Sequence, residues 1–486
     1  MNTYIGIDLG TSAVKLLLVS AEGEILNSVS REYPISYPRD GWSEQSPEDW
    51  LSAVNDGLSA LLEGYAHEDV KGVSFGGQMH GLVILDENDE VIRPCILWND
   101  GRTEEEVGYL NEVIGKDKLS EYTANIAFAG FTAPKILWIK KNEPENFEKI
   151  SKIMLPKDYI AYKMTGVHST DYSDASGMLL LDVKNKCWSE EMCKICSVKA
   201  EWLPKLYESF EVIGRPLSEY GLPNAVVCAG AGDNAAAAIG CGVVGDGECN
   251  ISLGTSGTVF ITGDKFSVDE QNALHSFAHA SGKYHLMGCI LSAASCNKWW
   301  LEEVLKTEDY SGESEGLDAI LGENDVIFLP YLMGERSPHN DVNARGAFIG
   351  IRPDNSRQNM SLAIMEGVAF ALRDCVEVAK SGGISISSSK ICGGGGKSAV
   401  WRRVIANVLG IPIYTLTAEE GPAMGGAMLA MVGAGEYGCI EDAAEAIVKV
   451  SGVVYPDAET VKKYEKKYEI FKSLYPALKD CFALMG

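Results

Sequence analysis

Ile7-Asp8-Leu9-Gly10-Thr11-Ser12 and Ile251-Ser252-Leu253-Gly254-Thr255-Ser256 read almost alike and lie 244 residues apart. They differ only at the second position, where one copy carries a carboxylate and the other a hydroxyl. Each copy follows a β-favouring run, Tyr4-Ile5-Gly6-Ile7 or Cys249-Asn250-Ile251, and each is followed by another, at 14–19 or 258–262. A strand, a Gly-Thr-Ser tip and a returning strand are therefore expected twice. Self-similarity at so long a spacing is duplication of a whole domain, not a solenoid repeat. The halves are assigned as residues 1–245 and 246–486, joined where small and polar residues cluster at Gly245-Asp246-Gly247.

Outward from the first copy, a third strand starts at Ile25, residues 49–62 have helical apolar spacing, and residues 70–75 resume a strand. Alternation continuing to residue 240 predicts an α/β layered domain. After the second copy, helices are expected at 293–305, 358–380, 398–409 and 457–484, with a strand at 326–329.

The chain has 486 residues, 46% of them hydrophobic and 23% charged, enough for more than one buried core. A formal net charge of −26 repels nucleic-acid phosphates and anionic headgroups, so neither nucleic acid nor membrane is an expected partner. An anionic substrate must then be held by main-chain N–H groups or a metal cation. No run has the length of a membrane span, Met1-Asn2-Thr3 leads straight into a strand, and thirteen cysteines show no framework. Together these predict a cytoplasmic protein with free thiols. Cys193 and Cys196 have no second pair at zinc spacing, so no metal site is assigned to them.

A Gly-Thr-Ser tip offers main-chain N–H groups and hydroxyls that cradle phosphate oxygens without a cationic side chain. One copy alone reads as a tight hairpin; two in corresponding places favour phosphate binding. Magnesium needs few protein carboxylates because it keeps several waters, which makes Asp8 a candidate ligand. Capping its own turn is the alternative.

Gly393-Gly394-Gly395-Gly396-Lys397-Ser398 fails as a P-loop, because Ile391 stands where that motif needs glycine. It remains a strand, a bare turn and a helix N-terminus, where a flat ring or a phosphate can approach. Residues 240–245 match a dinucleotide pattern by letter but follow an alanine-rich helix, so no such cofactor is assigned. Asp233-Asn234 follows the strand-like run at 226–232, and Asp233 is a candidate base beyond a strand end. On the residues alone, a helix N-cap is slightly favoured. Gln78-Met79-His80 also follows a strand and suits a polyhydroxylated substrate, although a lone histidine is more often structural. Trp98, Asp100 and Arg102 suit sugar hydroxyls or an ordinary salt-bridged turn.

Gly130-Phe131-Thr132-Ala133-Pro134-Lys135-Ile136-Leu137-Trp138-Ile139 resembles the first signature of the FGGY carbohydrate kinases. Gly346-Ala347-Phe348-Ile349-Gly350-Ile351, continuing to Asn359 and Ala363-Ile364-Met365-Glu366, resembles the second. The resemblance covers nearly the whole chain. It implies two duplicated actin-like (ribonuclease H-like) ATPase domains flanking a cleft, with ATP and Mg²⁺ as cofactors. It makes Asp233 the catalytic base and associates Asp8 with Mg²⁺. Gly10, Thr11 and Ser12 become the first phosphate turn, and Gly254, Thr255 and Ser256 the second. Gly394, Gly395 and Gly396 become the nucleotide stretch, with Gly396 where alanine is typical. Gln78, Met79 and His80, with Asn234, resemble the sugar loop of members acting on xylulose, where glycerol-specific members carry an Arg-Glu pair. The implied activity is ATP-dependent phosphorylation of a ketopentose, D-xylulose first. Another ketose or polyol, or a sugar-independent actin- or Hsp70-like ATPase, are the alternatives. The sugar and ATP are the implied partners; a homodimer is common in the family, but no stretch identifies an interface.

Overall fold

The computed structural model describes residues 1–417 and 420–485. Strands Thr3–Leu9 and Ala13–Ser20 pair antiparallel with Leu9 opposite Val14, and Gly10 N donates to Ala13 O at 3.1 Å to close the tip. Strands Cys249–Leu253 and Gly257–Gly263 repeat this hairpin, with Leu253 opposite Gly257. On its other side each first strand takes a parallel neighbour, Val70–Gly77 or Ser389–Cys392. A third antiparallel strand extends each hairpin, Ile25–Glu32 in the first half and Tyr284–Ile290 in the second. Both halves therefore contain the same central sheet.

Alternation along the strands decides what each face covers. In the first half Ile5, Ile7, Leu16 and Leu18 pack on Trp50, Val54 and Leu58 of helix Pro47–Leu61. The opposite face, with Tyr4, Leu17 and Val19, is covered by Ala423, Ala427 and Met428. Those residues belong to helix Gly421–Gly433, supplied by the second half of the sequence. The approach is close: a Cβ on Gly6 would lie 1.8 Å from the Ala423 carbonyl oxygen, and one on Gly425 would lie 1.8 Å from that of Ala236. Helix Asp233–Gly240 packs on this same helix. The element that begins at the candidate base is thus wedged between the halves.

Most predicted elements of the second half agree with the structure to within a residue at each end: Ile327–Leu329, Arg357–Ser381, Ala399–Leu409 and Ala458–Met485. Two expectations need correction. Residues 294–304 do not form one α-helix; Ala294–Lys298 is α-helical and Trp299–Val304 widens to a π-helix, with Trp300 Nε1 donating to Ser361 Oγ at 2.9 Å. Regular alternation also fails within the first half. The chain leaves the sheet after Val70–Gly77 and rejoins it at Val212–Gly214 and Val226–Cys228. In between, short helices and two-stranded ribbons build a lobe around Leu119, Ile136, Ile139, Met178 and Met192.

Candidate active site

Three parallel strands set the floor. Leu9 and Gly232 both pair with Gly77, and Asp8 and Ala231 both pair with Gly76. Asp8 and Asp233 therefore leave the sheet at one end, separated by a strand that carries no side chain at either position. Asp233 keeps partial exposure while Ala231, Gly232 and Ala235 around it are buried.

Asp233 is not an N-cap. Gly232 holds that position, and the Asp233 carboxylate accepts from Asn234 N at 2.7 Å. Burial pushes Asp233 up to about 6, with the Asn234 amide opposing. Asp8 is pushed up to about 7 by burial and then by the charge of Asp233, with Lys15 opposing. Two incompletely compensated carboxylates side by side form a hard oxygen donor set suited to a divalent cation.

The first tip is tied down from outside through its carbonyls. Tyr33 OH donates to Gly10 O, Gln45 Nε2 to Thr11 O at 2.7 Å, and Tyr33 N to Ser12 O at 3.2 Å. Trp98 Nε1 donates to Thr11 Oγ1 at 3.0 Å. The second tip is held in the same sense: Ala294 N donates to Gly254 O at 2.9 Å, and Thr255 O accepts from Ala293 N at 2.9 Å and Ser295 Oγ at 2.7 Å. Engaging successive carbonyls on one side orients a turn so that its N–H groups face the other, the arrangement of an anion nest.

Beside the second tip opens a cavity of about 1120 Å³ lined by Gly254, Thr255, Gly394, Gly395, Lys397 and Trp401, among others. Gly393 needs its left-handed backbone, φ +85°, to turn out of the strand. A Cβ on Gly394 would enter open space, whereas one on Gly395 would meet Leu253 Cβ at 3.0 Å and the Trp401 ring at 3.2 Å. Two expected residues fall outside this wall. Gly396 is buried, and a Cβ there would meet Ile391 Cγ1 at 3.3 Å; Ser256 is exposed on the hairpin.

The strand between Asp8 and Asp233 runs directly into the expected sugar loop. Gln78 is buried, its N donating to Leu9 O at 2.8 Å and its Nε2 to Gln45 Oε1 at 3.1 Å, while its own Oε1 has no partner among the described residues. Met79 Sδ lies 3.9 Å from Asn234 Nδ2, joining this loop to the start of the Asp233 helix. His80 has φ 70°, and its Nδ1 lies 2.8 Å from Gly177 O. A carbonyl only accepts, so Nδ1 carries the proton and Nε2 is a bare acceptor. Burial and then Lys135 hold the imidazole at about 3, so it is neutral at ordinary pH.

The segment of the first signature buttresses the loop at His80. Phe131 lies against the His80 ring at 4.8 Å between centroids, while Thr132 Oγ1 and Lys135 Nζ donate to His80 O at 3.1 and 2.9 Å. Asp100 and Arg102 are the clear correction. Arg102 donates to both Asp100 oxygens at 2.8 and 2.6 Å, pairs with Glu44 at 2.7 Å and lies 3.8 Å from the centre of the Trp42 ring. Both side chains are fully buried, so they brace the segment carrying half-exposed Trp98 and offer no free group to a substrate.

Residues 3–240 match the N-terminal domain model of the FGGY family of carbohydrate kinases, and residues 249–434 match the C-terminal one. The chain belongs to that family, with its actin-like ATPase fold, and is a carbohydrate kinase. It is 38% identical to a xylulose kinase of Bacillus subtilis (strain 168), over 99% of this chain and 98% of the relative. It is 39% identical to a xylulose kinase of Escherichia coli (strain K12), over 98% and 99%. A crystal structure of a xyloylose kinase from Brucella ovis superposes with a TM-score of 0.91 at 37% identity, covering 99% of this chain and 100% of that one. A ligand-bound xylulose kinase from Lactobacillus acidophilus gives 0.93 at 26% identity, with full coverage of both chains.

Proposed function

We propose that the chain transfers the γ-phosphoryl group of ATP to the terminal hydroxyl of a ketopentose, D-xylulose, giving D-xylulose 5-phosphate. The observation that carries this is the meeting of Asp233 and Asn234 with Met79 and His80 at one sheet end, beside Asp8 and the first tip. The names of the relatives support the choice of sugar.

Asp233 accepts the proton of the terminal hydroxyl as that oxygen attacks phosphorus; the bond to the leaving ADP oxygen breaks, and Asp233 later releases the proton to water. A carboxylate near 6 is ionised at neutral pH yet more basic than an ordinary aspartate. Phosphoryl transfer has a loose transition state, so positioning and charge neutralisation supply most of the acceleration. The tips at Gly10-Thr11-Ser12 and Gly254-Thr255 would hold phosphate oxygens from opposite halves, and Gly394 and Gly395 would admit the nucleoside. Asp8, with Asp233 beside it, would hold Mg²⁺, which when bound supplies positive charge to the phosphates. His80 Nε2 would accept from a sugar hydroxyl. No described helix is long and apolar enough to cross a membrane, and no disulfide joins the cysteines among the described residues, which fits action in the cytoplasm.

ADP release measured over a panel of ketoses and polyols tests the substrate. D-xylulose is expected to give the highest kcat/KM, and a polyol leading the panel would refute the assignment. Asp233→Ala is expected to lower kcat by about 10³-fold while calorimetry still detects sugar binding. Turnover near that of the parent would remove Asp233 as the base.

A further inference from the structure

We propose that Arg336, supplied by the second half, donates to the carbonyl oxygen of the bound ketose and so separates ketoses from polyols. The inference rests on the sugar-site reading given under Proposed function.

The main chain around Arg336 is firmly fixed. Glu335 Oε1 accepts from Leu291 N and Arg336 N at 2.9 and 2.8 Å. Glu335 and Asp341 exchange main-chain hydrogen bonds at 2.9 and 2.8 Å, Asn340 N donates to Arg336 O at 2.6 Å, and Ser337 N donates to Cys289 O at 3.0 Å. Its head is not fixed in this way. The guanidinium makes no hydrogen bond or ion pair among the described residues, although acidic residues outnumber basic ones by 68 to 42. It lies 5.4 Å from the centre of the Phe128 ring. A pinned stem on a partly exposed arginine whose guanidinium makes no hydrogen bond among the described residues is the arrangement of a group held for a ligand.

That aromatic face leads to the sugar loop. Phe128 packs edge-on against Phe131 at 5.5 Å and His275 at 5.2 Å, and Phe131 packs on His80 at 4.8 Å. The position relative to the base is also marked. His80 is lowered by burial, then Lys135, with Arg336 a smaller contributor, and His275 by burial and then Arg336. The shift of Asp233 comes instead from burial, with Asn234 opposing. The run of rings from Phe128 through Phe131 to His80 therefore puts Arg336 on the His80 side of the site.

The chemistry there is specific. Ring closure of a 2-ketopentose consumes the terminal hydroxyl, so the form open to phosphorylation has a free C2 carbonyl beside the C1 hydroxyl. The carbonyl only accepts, and arginine only donates. The C1 hydroxyl can donate to the bare Nε2 of His80. A donor-only and an acceptor-only group side by side match an α-hydroxyketone; reducing C2 replaces the pure acceptor by a hydroxyl.

The test compares D-xylulose with the two pentitols made by reducing its carbonyl, using the full chain with ATP and Mg²⁺. Arg336→Met is expected to lower kcat/KM for D-xylulose about 30- to 100-fold and for the pentitols less than threefold, with the KM for ATP unchanged. Equal losses on both substrate classes, or no loss, would overturn the inference. Calorimetry on the unaltered protein gives a second measure should the variant fold poorly. It is expected to show at least tenfold tighter binding of D-xylulose than of either pentitol, and equal binding would overturn the inference. A parent enzyme inactive on D-xylulose but active on another sugar class would refute the substrate assignment itself, before any variant is made.

Discussion

The two halves start from the same hairpin and diverge where the neighbouring parallel strand ends. In the first half that strand runs from Gly76-Gly77 into Gln78, Met79 and His80, the loop proposed to hold the sugar. In the second it runs from Cys392 into four glycines, where the absence of side chains leaves room beside a large cavity. The tips differ in the same sense. The first stands beside two carboxylates and is held largely by side chains, Tyr33, Gln45 and Trp98; the second has Ser252 in place of Asp8 and is held mainly by the chain at 293–295. On the proposed function, duplication supplies one phosphate cradle twice, and divergence at a single strand exit gives the chemistry to one half and nucleotide reception to the other.

Three substitutions break or sharpen that contrast. Asp8→Ser makes the first tip read like the second, and is expected to lower kcat about 100-fold and raise the Mg²⁺ concentration needed for half-maximal rate, with D-xylulose KM little changed. Unaltered magnesium dependence would show that the carboxylate difference is incidental. Gly394→Ala adds a methyl to the cavity and is expected to raise the KM for ATP several-fold without changing that for sugar, as initial rates would show; equal kinetics would place the nucleotide elsewhere. The smallest effect is on stability. Asp233 has a folded pKa above that of the unfolded chain, so its ionisation favours unfolding: the penalty is absent below the unfolded value near 4, grows as pH rises, and is complete above about 6. Asp233→Asn is therefore expected to melt a few degrees higher at pH 8 in chelator and without nucleotide, with the gain gone at pH 3.5. A lower melting temperature at pH 8 would contradict the burial of that charge.

Both hairpins, the long helices of the second half, and the places of Asp8 and Asp233 were legible because strand period, helix period and turn residues agree locally. The lobe inserted in the first half was not, since its elements are short and their order does not reveal where the chain rejoins the sheet. In sequence Asp100 and Arg102 suit sugar hydroxyls or an ordinary salt-bridged turn; only folding brings Glu44 and Trp42 around Arg102 and decides for the second, with the pair spent on itself. Arg336 sits in Gly334-Glu335-Arg336-Ser337, which carries no local signal of a site. Its place against Phe128 comes from contact between segments about 200 residues apart.

A crystal structure with a non-hydrolysable ATP analogue, Mg²⁺ and D-xylulose tests the duplicated cradle most directly. Main-chain N–H groups of the Gly10-Thr11-Ser12 tip are expected on the γ-phosphate and those of Gly254-Thr255 on the inner phosphates, with the sugar hydroxyl on Asp233. A triphosphate bound against one tip alone, with the other facing solvent, would contradict the account.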